Sequence, residues 1–289
     1  MDCLKTVAIM GVGLIGGSIG WGLRSRGLAQ QVVGLGRDPR RLAEAVERGL
    51  IDRGTTEPAA ALAEAEVVVV CTPVDRIPGD VRRAAELSPA GVLVMDVGST
   101  KRQIVEAVER GPAAGVFVGA HPLAGSELSG AAHARKDLFE DRVCVLTPTL
   151  RTTPDRLARA REFWANLGSR VLETTPAEHD EIVAFTSHLP HAVAAALAAS
   201  VPPPWHPFTA GAYRDGTRVA RAETELWTAI FQENRGPLLR ALGAFQDQLA
   251  RFKYAIMTDD PAAIQAWWNE ARRRRLAFES QAAKGAPDG

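Results

Sequence analysis

Short apolar runs rich in β-branched residues alternate with longer amphipathic segments throughout the first half of the chain. Strands are predicted over 6–10, 31–35, 67–72, 92–97, 116–120 and 143–147, and helices over 39–48 and 101–110. The strand runs are apolar throughout rather than alternating, which is typical of strands covered by helices on both faces. The alternation therefore predicts an α/β fold in which helices cover a doubly wound, parallel sheet.

A glycine-rich turn, G-x-G-x-x-G, follows the first predicted strand directly and opens a helix. Gly11 permits the tight turn, Gly13 lets a pyrophosphate approach the backbone, and Gly16 allows close packing of helix on strand. The strand–turn–helix context gives the motif its meaning and predicts a Rossmann-type dinucleotide site, with an unliganded turn as the alternative. The residues expected to line the cofactor are Gly11, Gly13, Leu14, Ile15, Gly16, Thr72, Pro73 and Ser99.

The end of the second predicted strand bears on the choice between NAD and NADP. An acidic residue ~20 residues after the motif binds the adenosine ribose in NAD sites. Here Gly36 is followed by Arg37, and a guanidinium pairs well with a 2′-phosphate that no carboxylate repels. We therefore expect Arg37 to bind NADP. In the alternative, Asp38 supplies the acid from a shifted position and NAD is used.

The charge balance excludes a global electrostatic field. Lys+Arg and Asp+Glu both number 34, so we expect neither nucleic acid nor an anionic membrane as partner, but a small molecule. The three cysteines match no metal-ligand spacing, and no metal is expected. The opening residues leave no room for a signal peptide, and apolar runs such as 67–71 are of strand length. These features predict a cytoplasmic protein.

The strand signal ends at a last short strand over 170–173, which follows a predicted helix over 154–167. Helical periodicity then covers 179–199, 224–257 and 261–278, interrupted by the proline-rich stretch 201–207. We predict a dinucleotide-binding domain over 1–174, an all-α substrate and dimerisation domain over 175–280, and a disordered tail over 281–289.

Three segments, 96–101, 119–127 and 187–191, concentrate reactive side chains. The first two follow predicted strands at their carboxyl ends, the edge at which ligands bind such sheets. His121 lies there among Gly and Pro, where packing gives little reason for a histidine. Its unperturbed pKa near 6.5 suits a proton acceptor at neutral pH.

With these segments in place, the sequence resembles the prephenate and arogenate dehydrogenases of tyrosine biosynthesis. The resemblance runs from the glycine turn to about Trp268. It is carried by 96–101, 121–127, His179-Asp180, 187–191, 213–218, Glu225-Leu-Trp227 and Gln232-Glu-Asn234. It implies oxidative decarboxylation of a cyclohexadienol substrate, with hydride transfer to NAD(P), by a homodimer that pairs through its helical domain around Trp227.

The resemblance also implies roles for individual residues. His121 is similar to the family's acceptor for the ring hydroxyl, and Ser99 to the serine that bridges hydroxyl, histidine and nicotinamide. Arg218 is similar to the arginine that binds a substrate carboxylate. The remaining substrate-side residues line the pocket or form an ion network around that arginine: His191, Ser187, Glu127, Arg214 and Asp215.

Each assignment has a structural alternative. Ser99 and Thr100 are also suited to cap a helix beginning at Lys101, and Glu127, Arg214 and Asp215 are also consistent with surface ions. Two other functions stay open, namely a different β-hydroxyacid-type NADP dehydrogenase and a dinucleotide-binding sensor without turnover. The sequence does not distinguish prephenate from arogenate.

Overall fold

The computed structural model describes residues 3–125, 128 and 130–284, and one eight-stranded sheet organises its N-terminal part. The strand order is β3-β2-β1-β4-β5-β6-β7-β8. The strands are β1 (Leu4–Met10), β2 (Ala29–Leu35), β3 (Arg53–Thr55), β4 (Val67–Val70), β5 (Leu93–Asp96), β6 (Phe117–Pro122), β7 (Val143–Thr147) and β8 (Arg170–Glu173). The predicted doubly wound sheet is confirmed.

Strand direction departs from the prediction at one place. All neighbours pair in parallel except β6 and β7, which are antiparallel, with His121 opposite Val145. A parallel return needs a long crossover, usually an α-helix. In the described part of 123–142 the only helical element is a 3-10 turn, Ala131–His133, so the chain reverses direction.

Helices cover both faces of this sheet. They are α1 (Leu14–Ser25), α2 (Pro39–Glu47), α3 (Pro58–Leu62), α4 (Ile77–Leu87), α5 (Arg102–Glu109) and α6 (Pro154–Asn166), with a 3-10 turn at Pro112–Gly115. The sequence analysis did not predict β3, α3 or α4. β3 has only three residues, one of them Gly54, and is recognisable only through its pairing with β2.

Successive strand residues feed two separate cores, because side chains alternate between the faces of a sheet. Ile9 and Val69 pack with Leu23 and Trp164 on one face. Met10 and Val70 belong to the core on the other face, together with side chains of α4 and α5. This arrangement explains why the strands are apolar at every position.

The C-terminal part is helical, as predicted. Its helices are α7 (Pro176–Val183), α8 (Leu189–Ser200), α9 (Gly211–Thr217), α10 (Thr224–Glu233), α11 (Arg235–Met257) and α12 (Pro261–Lys284). The predicted helix over 224–257 is in fact two helices. Asn234 interrupts it with φ −107° and ψ 31°, and its buried amide donates hydrogen bonds to α7 and to His188.

A π-helical turn, Ala184–His188, joins α7 to α8. The Leu189 amide is bonded to the carbonyl of Ala184, five residues earlier. Pro190 follows and has no N–H to donate to the carbonyl four residues before it. Single π turns inside helices occur frequently at functional sites.

The helical stretch 176–200 is long and apolar enough to cross a membrane, judged by length and composition alone. Its most apolar window has a mean hydropathy of 1.5, and 22% of that window is buried. The expectation that apolar runs are of strand length is therefore wrong for this stretch. The stretch also contains three buried polar residues that form hydrogen bonds with neighbouring elements: His179, Asp180 and His188.

The chain divides into two compact units, residues 1–238 and 239–289. In the second unit Phe252 of α11 stacks on Trp267 of α12, with ring centroids 4.7 Å apart. The predicted domain boundary at 174 falls between β8 and α7 and stays a prediction. α12 continues to Lys284, four residues into the predicted tail, and the remaining residues of that tail lie outside the described part.

Candidate active site

The predicted cofactor residues lie at the carboxyl edge of the sheet, where the strand order reverses. β1 pairs with β2 on one side and with β4 on the other, and this is the place at which α/β sheets bind ligands. Gly11 has φ +97°, and a Cβ atom there would lie 2.8 Å from the carbonyl oxygen of Cys71. A Cβ atom at Gly16 would lie 2.2 Å from the Gly11 oxygen. Only glycine fits either position.

The N-terminus of α1 is open to an anion. Gly13 is its N-cap residue, no side chain caps the helix, and its first turn carries no acidic residue. A Cβ atom at Gly13 would meet nothing within 4 Å. Unpaired N–H groups beside this open space fit a pyrophosphate, which Gly11, Gly13 and Gly16 would hold together with the neighbouring Leu14 and Ile15.

Two more of the predicted cofactor residues follow β4. Thr72 donates a hydrogen bond from Oγ1 to Asp80 Oδ2 at 2.7 Å, which ties the loop after β4 to α4. Pro73 comes next in that loop. Ser99 lies half-buried in the loop after β5, in the same row of strand ends.

The corner after β2 presents Arg37 with its side chain exposed. Asp38 is the N-cap of α2, and its Oδ1 accepts the amide of Arg40 at 2.9 Å. This hydrogen bond, with the nearby Arg40 and Arg41 charges, holds the pKa of Asp38 below its usual value. Asp38 therefore serves α2 as a cap, while Arg37 has no such local role.

A buried ion pair joins the end of β5 to the start of α5. The Lys101 ammonium contacts Asp96 Oδ2, and both side chains are fully inaccessible. Asp96 also accepts the amide of Gly98 at 2.9 Å and that of Ala120 at 3.0 Å. Removing one partner of such a pair leaves an uncompensated buried charge. The pair fixes the backbone on which His121 is placed.

His121 belongs to a buried chain of polar groups. Its Nδ1 lies 2.9 Å from His179 Nε2, and His179 Nδ1 lies 2.8 Å from Asp180 Oδ1. Asp180 in turn accepts the amides of Lys101 at 2.7 Å and Arg102 at 3.0 Å. Thus Asp180, rather than Ser99 or Thr100, caps the start of α5, and the capping alternative for Ser99 has no hydrogen bond to support it among the described contacts.

Burial dominates the electrostatics of these histidines. It lowers the pKa of His121 well below its ordinary value, helped by His179, by Lys101 and then by His188. Burial also lowers the pKa of His179, although the Asp180 hydrogen bond opposes it. His121 is therefore neutral at physiological pH and available as an acceptor.

The substrate-side residues come from the π turn and from α8 to α10. His191 Nδ1 lies 2.9 Å from the Ser187 carbonyl oxygen, so it donates there. The His191 ring stacks on Trp227 with centroids 3.7 Å apart, so Trp227 contacts a predicted pocket residue. The expectation that Trp227 lies at a dimer contact stays a prediction. Burial lowers the pKa of His191, and the positive charge of Arg218 lowers it further, which shows that Arg218 lies near the His191 ring.

The predicted ion network is only partly described. Arg214 and Asp215 are exposed on α9, one turn before Arg218, which begins a 3-10 turn at Arg218–Arg221. Glu127 lies outside the described residues. The network stays a prediction.

Sequence reasoning gave His179, Asp180 and Asn234 no role in the site, although all three stand in motifs that carry the resemblance. All three are buried to 1% exposure, and Asn234 Nδ2 donates to the Asp180 carbonyl oxygen at 2.7 Å. A His-Asp pair at the start of an apolar helix is the signal that could have revealed them.

Most of the chain, from residue 19, just after the glycine turn, to residue 270, matches one family. Residues 19–173 match the domain family "Prephenate dehydrogenase, nucleotide-binding domain". Residues 175–270 match the domain family "Prephenate dehydrogenase, dimerization domain". The chain belongs to the prephenate dehydrogenase family.

Relatives of this family are similar along nearly the whole chain. A cyclohexadienyl dehydrogenase from Zymomonas mobilis is 32% identical, covering 97% of this chain and 98% of its own. The prephenate dehydrogenase of Bacillus subtilis is 28% identical, covering 93% and 75%. Among solved structures, prephenate dehydrogenase from Aquifex aeolicus with hydroxyphenyl propionate and NAD+ superposes with a TM-score of 0.87 at 30% identity, covering 95% and 98%. Synechocystis arogenate dehydrogenase gives 0.81 at 29% identity, covering 95% and 100%.

Proposed function

We propose that this protein catalyses the oxidative decarboxylation of prephenate, of arogenate or of both, with hydride transfer to a nicotinamide dinucleotide, in tyrosine biosynthesis. The observation that carries the proposal is the buried, neutral His121 at the sheet edge that also bears the glycine turn. The chain matches both domains of the family, and relatives named for prephenate, cyclohexadienyl and arogenate dehydrogenases span it.

Each residue of the site has a role that suits the chemistry of its side chain. His121 accepts the hydrogen bond of the ring hydroxyl, and Ser99 bridges that hydroxyl to the cofactor side. Arg218 binds a substrate carboxylate, a task suited to a bidentate guanidinium. Ser187 and His191 line the pocket around the rest of the substrate.

The dinucleotide, when bound, supplies the hydride acceptor. The substrate loses the C–H pair as hydride and the ring C–CO2 bond as CO2, and the electron pair of that bond completes the aromatic ring. The hydroxyl oxygen keeps its proton in the product, so a proton lent to His121 returns to the phenol oxygen. Because aromatisation supplies much of the driving force, the protein has mainly to orient the substrate and polarise the hydroxyl.

The direct test follows the absorbance of the reduced nicotinamide after addition of prephenate and, in parallel, of arogenate. Turnover of at least one is expected, and the ratio of the two kcat/KM values identifies the substrate. His121→Asn should lower kcat by about 10²–10⁴-fold while cofactor binding stays near normal. If the wild type turns over neither substrate, or if His121→Asn retains more than half of the wild-type kcat, the proposal is wrong.

We further propose that the cofactor is NADP in preference to NAD. Arg37 is exposed at the ribose corner, no acidic residue precedes it at Gly36, and Asp38 is engaged as the cap of α2. The Aquifex aeolicus structure contains NAD+, so the preference separates this chain from that relative.

We also propose a homodimer and a cytoplasmic location. The dimer is supported by the match to the dimerization domain and by the exposed apolar side chains of the helical part, among them Phe185, Leu197 and Leu226. Light scattering at micromolar concentration is expected to report twice the mass of one chain, and a monomer would contradict the dimer. Recovery of the expressed protein in the soluble fraction without detergent is the corresponding check on the location.

A further inference from the structure

The polar chain behind His121 ends on a carboxylate whose partners fix the proton positions. Asp180 Oδ1 accepts the Lys101 amide at 2.7 Å, and Oδ2 accepts the Arg102 amide at 3.0 Å. Backbone amides only donate, so both oxygens act as acceptors. The 2.8 Å contact between Asp180 Oδ1 and His179 Nδ1 therefore requires the proton to be on Nδ1 of His179.

This proton determines the tautomer of His121. A neutral histidine protonated at Nδ1 has its lone pair on Nε2, and His179 Nε2 lies 2.9 Å from His121 Nδ1. His121 must then donate from Nδ1, which leaves the lone pair of its neutral ring on Nε2. Burial disfavours the charged form of both rings, which keeps them in these neutral tautomers.

Several hydrogen bonds hold Asp180 in the position that fixes the proton on His179 Nδ1. Its carboxylate bonds the first amides of α5, whose positive dipole end also favours a negative charge. Its own carbonyl oxygen accepts the amide of the buried Asn234 at 2.7 Å. The residue is thus anchored through both its side chain and its main chain.

We infer that Asp180, acting through His179, is a positioning residue that fixes His121 as a hydrogen-bond acceptor at Nε2, and that His179 shares the positive charge formed there. This inference rests on the proposed function. As the hydroxyl proton moves to His121 Nε2, the Nδ1 proton of His121 moves to His179 Nε2, so one proton enters and one leaves the first ring. Both protons return when the phenol O–H bond is re-formed.

The surrounding charges favour this transfer. Among the described residues, Lys101, His179 and His188 face His121, and all three disfavour a positive charge on it. His179 also faces Lys101, but it contacts the Asp180 carboxylate directly and is influenced by Asp96. A positive charge is therefore better placed on His179 than on His121.

Asp180→Asn tests the tautomer. The single asparagine oxygen can accept only one of the two α5 amides. When it accepts that of Arg102, the NH2 group takes the place of Oδ1 and faces His179 Nδ1. His179 Nδ1 must then accept, and each proton position along the chain is reversed. His121 Nε2 becomes a donor. The equivalent exchange in a serine-protease triad lowers kcat by about 10⁴. We expect kcat to fall by at least ~100-fold, with the substrate KM and the dinucleotide Kd within about threefold.

The tautomer itself can be read by ¹⁵N NMR of histidine-labelled protein without ligands, since the chain has only six histidines. The wild type should show a pyrrole-type Nδ1 and a pyridine-type Nε2 for His121, and Asp180→Asn should exchange them. A wild-type His121 protonated at Nε2 overturns the inference, as does an Asp180→Asn variant in which neither the tautomer nor kcat changes. Because no substrate is needed, this result is separable from a failure of the proposed function.

His179→Gln separates the two parts of the inference. A glutamine oxygen can accept from His121 Nδ1 and keep its tautomer, but it cannot take up a proton. We expect the tautomer to persist and kcat to fall by about tenfold; an unchanged kcat refutes the sharing of charge.

Asp52→Asn is the matched control, because Asp52 is another carboxylate that accepts a backbone amide, that of Val32 at 2.7 Å. It should leave kcat unchanged. An equal loss of kcat in Asp52→Asn would show that lost stability, and not the tautomer, explains the effect of Asp180→Asn.

Discussion

Arg218 and His191 illustrate how single residues of this site depend on their neighbours. The charge of Arg218 lowers the pKa of His191, beyond the larger effect of burial, and His191 is fixed by the Ser187 carbonyl and by the Trp227 ring. We propose that Arg218 binds a substrate carboxylate and that His191 lines the pocket around the rest of the substrate.

Arg218→Ala should raise the substrate KM far more than it lowers kcat. We expect the carboxylate to be bound equally in the ground state and the transition state, in which case its loss changes KM alone. A charge-assisted contact is worth about 1.5–3 kcal/mol, so KM should rise by roughly 10–100-fold. Steady-state kinetics measure both constants. Arg221→Ala, on the same 3-10 turn, is the control, and an unchanged KM in Arg218→Ala would place the carboxylate elsewhere.

Gly36→Asp should shift the cofactor preference from NADP toward NAD. The new carboxylate would accept the ribose hydroxyls and repel a 2′-phosphate, and the kcat/KM ratio should move by more than about tenfold. A Cβ atom at this position lies 3.2 Å from Leu42 Cδ2, the end of a flexible side chain, so modest adjustment suffices. Gly36→Ala imposes the same crowding without charge and should keep the wild-type ratio. A wild type that prefers NAD contradicts this interpretation of the corner.

At the scale of elements, the carboxyl edge of the sheet is joined to the helical part by buried polar contacts. The start of α5 is capped by Asp180 of α7, and Asn234, between α10 and α11, bonds both the Asp180 carbonyl and His188. Gln103 of α5 adds an exposed hydrogen bond to the Glu233 carbonyl at 2.6 Å. The buried contacts fix orientation because an unpaired buried polar group is costly.

Asn234→Ala should destabilise the fold. It would leave His188 Nδ1 without its donor, while the Asp180 carbonyl keeps only the amide of Ala184. An unsatisfied buried group costs about 1–3 kcal/mol. The free energy of unfolding in urea measures the loss. Asn269→Ala, at an exposed position of α12, is the control. Equal stability of the two variants would show that the Asn234 contacts contribute nothing net.

At the scale of the whole molecule, the protein buries several histidines in neutral form, and this couples stability to pH. Burial lowers the pKa of His188 to about 4, and it lowers those of His121 and His179 in the same direction. The unfolded chain takes up these protons as the pH falls through about 6.5, the ordinary histidine value, and the folded chain does so only at lower pH.

Stability should therefore decrease as the pH falls from about 6.5 to 4, because in this window the unfolded state binds more protons. At about 1.4 kcal/mol per pKa unit, His188 accounts for roughly 3 kcal/mol. Urea unfolding at several pH values gives the slope. His188→Gln should reduce that slope, and His133→Gln, at an exposed histidine, is the control. An unchanged slope in His188→Gln would show that His188 does not titrate between the folded and unfolded states.

The sequence by itself determined the doubly wound sheet, the glycine turn and the helical second half, since each follows from periodicity or from backbone constraints within a few residues. It also indicated His121, because a histidine at a strand end among Gly and Pro is locally conspicuous. The family resemblance supplied the expected roles of Ser99 and Arg218.

Only the tertiary structure decided how these pieces meet. In the folded chain β7 runs antiparallel to β6, and the three-residue β3 forms by pairing with β2. The helix predicted over 224–257 is divided at Asn234, and His179 and Asp180 lie behind His121. Each of these outcomes depends on hydrogen bonds between residues far apart in the chain. Local propensity carries no information about such partners. A buried polar group needs a hydrogen-bond partner because leaving it unpaired is costly, and that need arises only when folding buries the group.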